Sequence, residues 1–370
     1  MMKKNRNKIE KTSKIKTIAL TGGKTMGHIS PNLALLEDLK KHYERIIYIG
    51  ESNSMEEKKA KEYGLDFYVT ESIKFNRKNL LSNLKIPFKL IKAKCRAKKI
   101  LIDNNVQTVL SKGGYVSLPT ILASQKLNIP NILHESDMSL GLANRVAAKK
   151  ASKILVSTKR AYDGLNSKLK KKAEIVGIPV SNEFKYNKKN KNVEKLRNVS
   201  NKKIMLITGG SQGSKAINDI IRKNIDKLTQ DYFVYHIVGK NNIDQEIKNK
   251  DYKQIEFTSN MADYLHASDI IISRGGATTI FEGLFSNANM LIIPLPKSKH
   301  SRGDQVENAK YFFELGLIEY IEEKDLSLES LERKINLLNT TKEKRIKNIE
   351  NFTKSLKSNQ EIAKIISGTH

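Results

Sequence analysis

Lys203-Ile204-Met205-Leu206-Ile207-Thr208-Gly209-Gly210-Ser211-Gln212-Gly213-Ser214 is the stretch on which the fold turns. Its first half is a short run of branched apolar residues, the composition of a strand buried on both faces. Its second half is a glycine-rich turn of the kind that feeds such a strand into a helix. Glycine lets the backbone turn sharply and approach a ligand, and free amides at the helix start carry partial positive charge. The amides of Ser211, Gln212 and Gly213 could therefore hold an anion such as a diphosphate, with the Ser211 hydroxyl as a further donor. A tight strand-to-helix turn without a ligand is the plainer alternative.

The device occurs twice. Near the N-terminus, Ile15–Leu20 runs into Thr21-Gly22-Gly23-Lys24-Thr25-Met26-Gly27-His28 and an amphipathic helix from Ile29 to His42. The Gly-Lys-Thr fragment is not a P-loop, because Ile18 occupies the place of that motif's first glycine. His28 stands at the loop-to-helix junction, where it either projects into a crevice or packs locally. An ordinary imidazole titrates near pH 6.5, so His28 is a usable proton acceptor at neutral pH.

Outward from these two turns, apolar strands alternate with amphipathic stretches, the order of βαβ units around parallel sheets. The first series is Ile15–Leu20, Arg45–Ile49, Asp66–Val69, Val106–Leu110, Asn131–Leu133 and Lys153–Val156. The second is Lys203–Thr208, Phe233–Val238, Gln254–Phe257, Asp269–Ser273 and Met290–Pro294. This predicts an α/β chain with two Rossmann-like, doubly wound domains that face each other across a cleft. The divisions fall at a basic tail (1–14), a first domain (15–180), a polar linker (181–201), a second domain (202–341) and a charged helical segment (342–370) that is expected to cross back and brace the first domain. Ligands of such sheets bind beyond the carboxyl ends of the strands.

Further motifs follow strands at that same edge. Ser273-Arg274-Gly275-Gly276-Ala277-Thr278-Thr279-Ile280-Phe281-Glu282 is a strand end, a small-residue turn and a helix start. Glu282 lies on an otherwise apolar, small face, so its carboxylate needs a partner: vicinal ribose hydroxyls, or a salt bridge to Arg274. Ser301-Arg302-Gly303-Asp304-Gln305-Val306-Glu307-Asn308 brings Asp304, Gln305 and Asn308 to a helix start, with the amide and carboxyl groups that sugar hydroxyls require. In the first half, Ser111-Lys112-Gly113-Gly114-Tyr115 and His134-Glu135-Ser136-Asp137 suit acceptor binding. His134 and Glu135 could instead hold the two loops together.

Composition narrows the setting. A chain of 370 residues suits two domains. The single cysteine, Cys95, cannot pair within the chain, which fits a reducing compartment. Lysine and arginine number 67 against 39 acidic residues, a net charge of +28 that attracts an anionic bilayer or a polyanion. The first apolar run is too short for a signal peptide, and no apolar stretch is long enough to span a bilayer. From Ser72 to Ile102 there is no acidic residue, while Leu80, Leu81, Leu84, Phe88 and Ile91 alternate with Lys85, Lys89 and Lys92 at near-helical spacing broken at Pro87. Basic residues around an apolar stripe describe a helix at a bilayer interface, or an ordinary covering helix, or one serving both purposes. A nucleic-acid site would need stacking aromatics or a recognition helix there, and the chain has no tryptophan. No nucleic-acid partner is expected.

Taken together, the motifs resemble the MurG family of N-acetylglucosaminyltransferases over nearly the whole chain, from Ile15 to about Tyr320. The resemblance implies the GT-B fold and an inverting transfer of N-acetylglucosamine from UDP-N-acetylglucosamine to the 4-hydroxyl of N-acetylmuramate. The acceptor would be the undecaprenyl-pyrophosphoryl muramyl-pentapeptide, met at the cytoplasmic face of the bacterial membrane. It further implies His28 as general base, and donor contacts from Thr25, Met26, Gly27, Ser211, Gln212, Gly213, Thr258, Arg274, Ala277, Thr278, Thr279, Glu282, Asp304 and Gln305. Acceptor contacts would come from Gly113, Gly114, Tyr115, His134, Glu135 and Asp137. Two positions depart from the family: Ser181 follows Gly177-Ile178-Pro179-Val180 where an arginine is usual, and Asp137 replaces a common asparagine. With no Asp-X-Asp element and no His/Cys cluster at metal-ligand spacing, no metal or other cofactor is expected. Fixed amides would then stabilise the departing UDP.

Overall fold

The computed structural model describes residues 16–71, 86–185, 190–298 and 301–369. Two wholly parallel sheets form the frame. The first is built from β1 (Thr17–Thr21), β2 (Arg45–Gly50), β3 (Asp66–Val69), β4 (Val106–Ser111), β5 (Asn131–Glu135), β6 (Lys153–Val156) and β7 (Ala173–Ile175). Their spatial order is β3-β2-β1-β4-β5-β6-β7. The second contains β8 (Lys203–Thr208), β9 (Tyr232–Ile237), β10 (Tyr252–Ile255), β11 (Ile270–Ser273), β12 (Met290–Ile292) and β13 (Glu319–Tyr320), in the order β10-β9-β8-β11-β12-β13.

Strand β1 is fully buried, as are all but the first residue of β8, so the apolar runs read as continuous rather than alternating. In each sheet the order reverses beside the first strand, between β1 and β4 and between β8 and β11. Those are the switch points where helices leave on opposite faces and a crevice opens. The glycine turns after β1 and β8 lie at them. At Gly213 (φ +73°) an added Cβ would stand 2.0 Å from the Val238 carbonyl oxygen, so this turn closes only with glycine.

Strands β7 and β13 go beyond the sequence reading; at three and two residues they carry no legible periodicity. The polar stretch 181–201 is not a bare linker. It contains the helix Lys191–Arg197, held on the second domain by Asn190 and Asn192 amides on Asp263 (2.6 and 3.1 Å) and by Arg197 on the His266 carbonyl (3.0 Å), while Phe184 enters that domain's core. Polar anchors of this kind leave no mark in a hydrophobic pattern. Pro87 lies within the described helix Ile86–Asp103, and the residues that precede Ile86 lie outside the described residues.

The C-terminal segment divides between the domains. Helix Lys342–Lys354 packs Ile349 and Phe352 against Phe281 and Phe312 of the second core. Helix Asn359–Ser367 places Ile362, Ala363 and Ile366 in the first core. Its Asn359 amide donates to the Ala34 and Val180 carbonyls at 3.0 and 2.9 Å, tying the crossing point to both the first helix and the interdomain segment.

Candidate active site

His28 lies in the first turn of helix Met26–Ala34, at the carboxyl end of β1. Its Nδ1 lies 2.9 Å from the Lys112 carbonyl oxygen. A carbonyl only accepts, so Nδ1 carries the proton and Nε2 of the neutral ring keeps a lone pair. Burial lowers the His28 pKa; the Asp137 carboxylate and the bond to the Lys112 carbonyl pull it back up, and the Lys112 and Arg302 charges lower it further. The ring is thus set up to receive a proton at neutral pH.

Behind it, β4 and β5 end in loops held together by buried polar groups. Lys112 donates to Ser136 Oγ at 2.8 Å and to His134 Nδ1, and His134 Nε2 donates to the Gly177 carbonyl at 2.9 Å. Burial and the neighbouring Lys112 charge hold the His134 pKa well below the usual imidazole range. Glu135 accepts from the amides of Ser136, Asp137 and Gly141 and from the Asn144 side chain. Both His134 and Glu135 are buried. Of the two readings open in the sequence, direct acceptor contact is therefore corrected to loop-holding: their polar atoms are already spent inside the protein. Gly113 and Gly114 (φ +81° and +84°) form the turn beside Gly23, and Tyr115 is half-buried next to them.

Asp137 faces the second domain. Arg302 Nη2 approaches it at 3.4 Å while Arg302 Nε bonds Asp304 at 2.9 Å, and the Asn308 amide reaches Asp137 at 3.5 Å. Burial, with Glu135 and Asp304 adding repulsion, pushes Asp137 up to about 6, against the pull of His28 and Arg302. Asn308 is fully buried and its amide donates to the Gly275 carbonyl at 3.0 Å. Thr278 donates to the Gly27 carbonyl at 3.1 Å, so helix Ala277–Phe285 meets the helix of His28 directly.

On the donor side, Ser211 and Gln212 are exposed in the turn after β8, and Ser214 caps helix Lys215–Lys223. Gln305 fixes its side-chain oxygen on the amides of Gly275 and Leu295 (3.2 and 2.9 Å), which leaves its amide nitrogen to donate. Arg274 does not pair with Glu282; its guanidinium binds Glu323 at 2.5 Å and the Ile293 carbonyl at 3.0 Å. Burial, and then the Glu183 carboxylate, push Glu282 up to about 8. Thr258 lies beyond β10 and accepts from the Asn260 amide at 3.1 Å. Ala277 is buried and Thr279 half-buried at the helix start; Thr25 is exposed, while Met26 packs on the first core.

Leu80, Leu81, Leu84 and Lys85 lie outside the described residues. Phe88 and Ile91 are 76% and 60% exposed on helix Ile86–Asp103, with Lys89 and Lys92 also exposed. Among the described residues, no helix is long and apolar enough to cross a membrane. Lys112 and Arg302 were not singled out by the sequence. Lys112 does follow a strand and precede Gly-Gly, a position at the crevice edge, but nothing local signals that its ammonium turns inward.

Two parallel-sheet domains whose switch points meet, with a histidine at one and a glycine-rich turn at the other, have the GT-B architecture. The Glycosyltransferase family 28 N-terminal domain matches residues 18–156, and the Glycosyltransferase family 28 C-terminal domain matches residues 204–366. The UDP-N-acetylglucosamine–N-acetylmuramyl-(pentapeptide) pyrophosphoryl-undecaprenol N-acetylglucosamine transferase of Clostridium botulinum (strain Langeland) is 37% identical over 354 residues, covering 93% of this chain and 99% of its own. The protein of the same name from Staphylococcus aureus (strain MRSA252) is 36% identical over 341 residues, covering 91% and 95%. Among solved structures, Acinetobacter baumannii MurG aligns with a TM-score of 0.71 at 20% identity, covering 95% of this chain and 99% of that one. The chain belongs to the MurG family of N-acetylglucosaminyltransferases.

Proposed function

We propose that the protein transfers N-acetylglucosamine from UDP-N-acetylglucosamine to the 4-hydroxyl of N-acetylmuramate in undecaprenyl-pyrophosphoryl-N-acetylmuramyl-pentapeptide, converting lipid I to lipid II in peptidoglycan synthesis. The observation that carries this reading is the fixed tautomer of His28, with its bare Nε2 at the first switch point beside the second domain's Ala277–Phe285 helix. Nε2 takes the proton from the acceptor hydroxyl as the new C–O bond forms at the anomeric carbon, on the face opposite the breaking bond to the β-phosphate. Configuration inverts, and UDP departs with the electron pair.

The amides from Ser211 to Gly213 and the start of helix Lys215–Lys223 meet the charge on the leaving diphosphate, and no metal or other cofactor is required. Glu282 receives the ribose hydroxyls, and Gln305 with Asp304 the sugar hydroxyls. Asp137 and the Gly113-Gly114-Tyr115 turn meet the acceptor. The exposed Phe88 and Ile91, bordered by Lys89 and Lys92, rest on the anionic cytoplasmic face of the bacterial membrane, where the lipid acceptor is held. Incubation with radiolabelled UDP-N-acetylglucosamine and lipid-linked muramyl-pentapeptide, in the presence of a chelator, tests the reading. A labelled disaccharide lipid is the expected product; hydrolysis alone, transfer only to a different lipid, or abolition by the chelator would refute the corresponding part.

A further inference from the structure

Lys112 is the first residue beyond β4, at the switch point of the first sheet, and it is only 2% exposed. Its amide donates to the Thr21 carbonyl at 2.9 Å, and its Nζ is moored on Ser136 Oγ and His134 Nδ1. His134 is anchored in turn on Gly177, the turn that opens the crossing between domains. On the other side a Cβ at Gly22 would come within 2.9 Å of the Lys112 Cβ and 3.0 Å of the His28 carbonyl oxygen. The β1 and β4 loops thus touch without slack. The Lys112 carbonyl, held from both sides, is the group that receives the His28 Nδ1 proton.

We propose that Lys112 is a positioning residue for His28: its main-chain carbonyl selects the Nδ1–H tautomer, and its inward-turned ammonium both anchors that carbonyl and sets a positive charge beside the ring. The inference rests on His28 acting as the base. Three charged groups bear on His28, namely Asp137, Lys112 and Arg302. Burial brings the Lys112 pKa down to about 7, against the pull of the Glu135 and Asp137 carboxylates, which favour its charged form. In the acid range where His28 itself titrates, Lys112 therefore holds its proton, and its charge makes protonation of His28 harder. The base stays available to lower pH than it otherwise would.

Lys112→Met keeps the stem and removes the ammonium. The expected result is UDP affinity within about threefold of wild type by calorimetry, kcat lowered roughly tenfold or more, and the acid limb of kcat/KM displaced upward by roughly half a pH unit or more. An unmoved acid limb with near-normal kcat overturns the proposal. A measurement on the unaltered protein is independent of any folding defect in the variant. Side-chain ¹⁵N NMR of His28 in its neutral form is expected to show a protonated Nδ1 and a bare Nε2, and an Nε2–H tautomer overturns the proposal equally. His28→Ala separates the two levels. If that variant keeps normal turnover, the base reading itself is wrong; if it is inactive while Lys112→Met leaves the acid limb in place, the role of Lys112 alone is wrong.

Discussion

Burial drives Glu282 and His28, on opposite domains, toward their neutral forms, and the two groups use that shift differently. Glu282, up at about 8, holds a proton at pH 7 in the unliganded protein. Ribose hydroxyls that donate to it favour the carboxylate, so UDP binding at pH 7 should release a proton and affinity should rise with pH up to about 8. Calorimetry in buffers of different ionisation enthalpy reads that proton directly, and Glu282→Gln should abolish the buffer dependence. A wild-type heat that is the same in every buffer would reassign Glu282 to a structural role. The folded chain holds this proton more tightly than the unfolded chain, whose carboxyl titrates near 4.5, so the contribution of Glu282 to stability falls as pH climbs from about 4.5 to 8. For His28 the expected outcome is kinetic: His28→Ala should lower turnover by roughly 10²- to 10⁴-fold, the usual contribution of a general base. UDP affinity, measured alongside, should change little.

At the scale of elements, helix Ile86–Asp103 divides its surface between the core and the solvent. Ala93, Ala97 and Leu101 are buried against the first sheet, while Phe88 and Ile91 remain in solvent with Lys89 and Lys92 beside them. Each lysine close to an anionic bilayer contributes roughly 1 kcal/mol, and the two apolar side chains add their own burial. The double variant Phe88→Glu, Ile91→Glu should lose flotation with anionic liposomes and retain turnover on a water-soluble acceptor; unchanged flotation would sink the docking role. The turn after β8 is the other element with a sharp prediction. Gly213→Ala puts a Cβ on the Val238 carbonyl at a positive φ, so the turn must open, with loss of UDP binding and a stability cost of about 1–3 kcal/mol.

At the scale of the whole molecule, several contacts join the domains, among them the Arg160–Glu314 ion pair at 2.5 Å. The Asp137–Arg302–Asp304 chain and the Thr278–Gly27 bond close the cleft side, while helix Asn359–Ser367 straps the C-terminus to the first domain. The Asp137–Arg302 contact is partly exposed and therefore weak, and it titrates: with Asp137 at about 6, acidification removes its charge and loosens the contact. Small-angle scattering should show a larger radius of gyration below that pH, and Arg302→Ala should show it at neutral pH as well. The strap is apolar and stronger. Ile362→Ala with Ile366→Ala empties two fully buried positions at about 2–5 kcal/mol each, so thermal unfolding of the first domain should move down sharply.

The alternation of buried strands with amphipathic helices, the two glycine turns and the position of His28 were legible from the chain alone, because each is set by contacts within a few residues. The strand bounds at β3, β6 and β8 match the apolar runs residue for residue for the same reason. What pairs with what was decided by the tertiary structure. Arg274 goes to Glu323 rather than Glu282, the Asn308 amide to Gly275, and the polar 181–201 stretch to Asp263, since these partners lie far apart along the chain. The inward turn of Lys112 is the clearest case. A lysine reads as surface in any local window, and only the meeting of β4, β5 and the Gly177 turn supplies the acceptors that let its ammonium leave water.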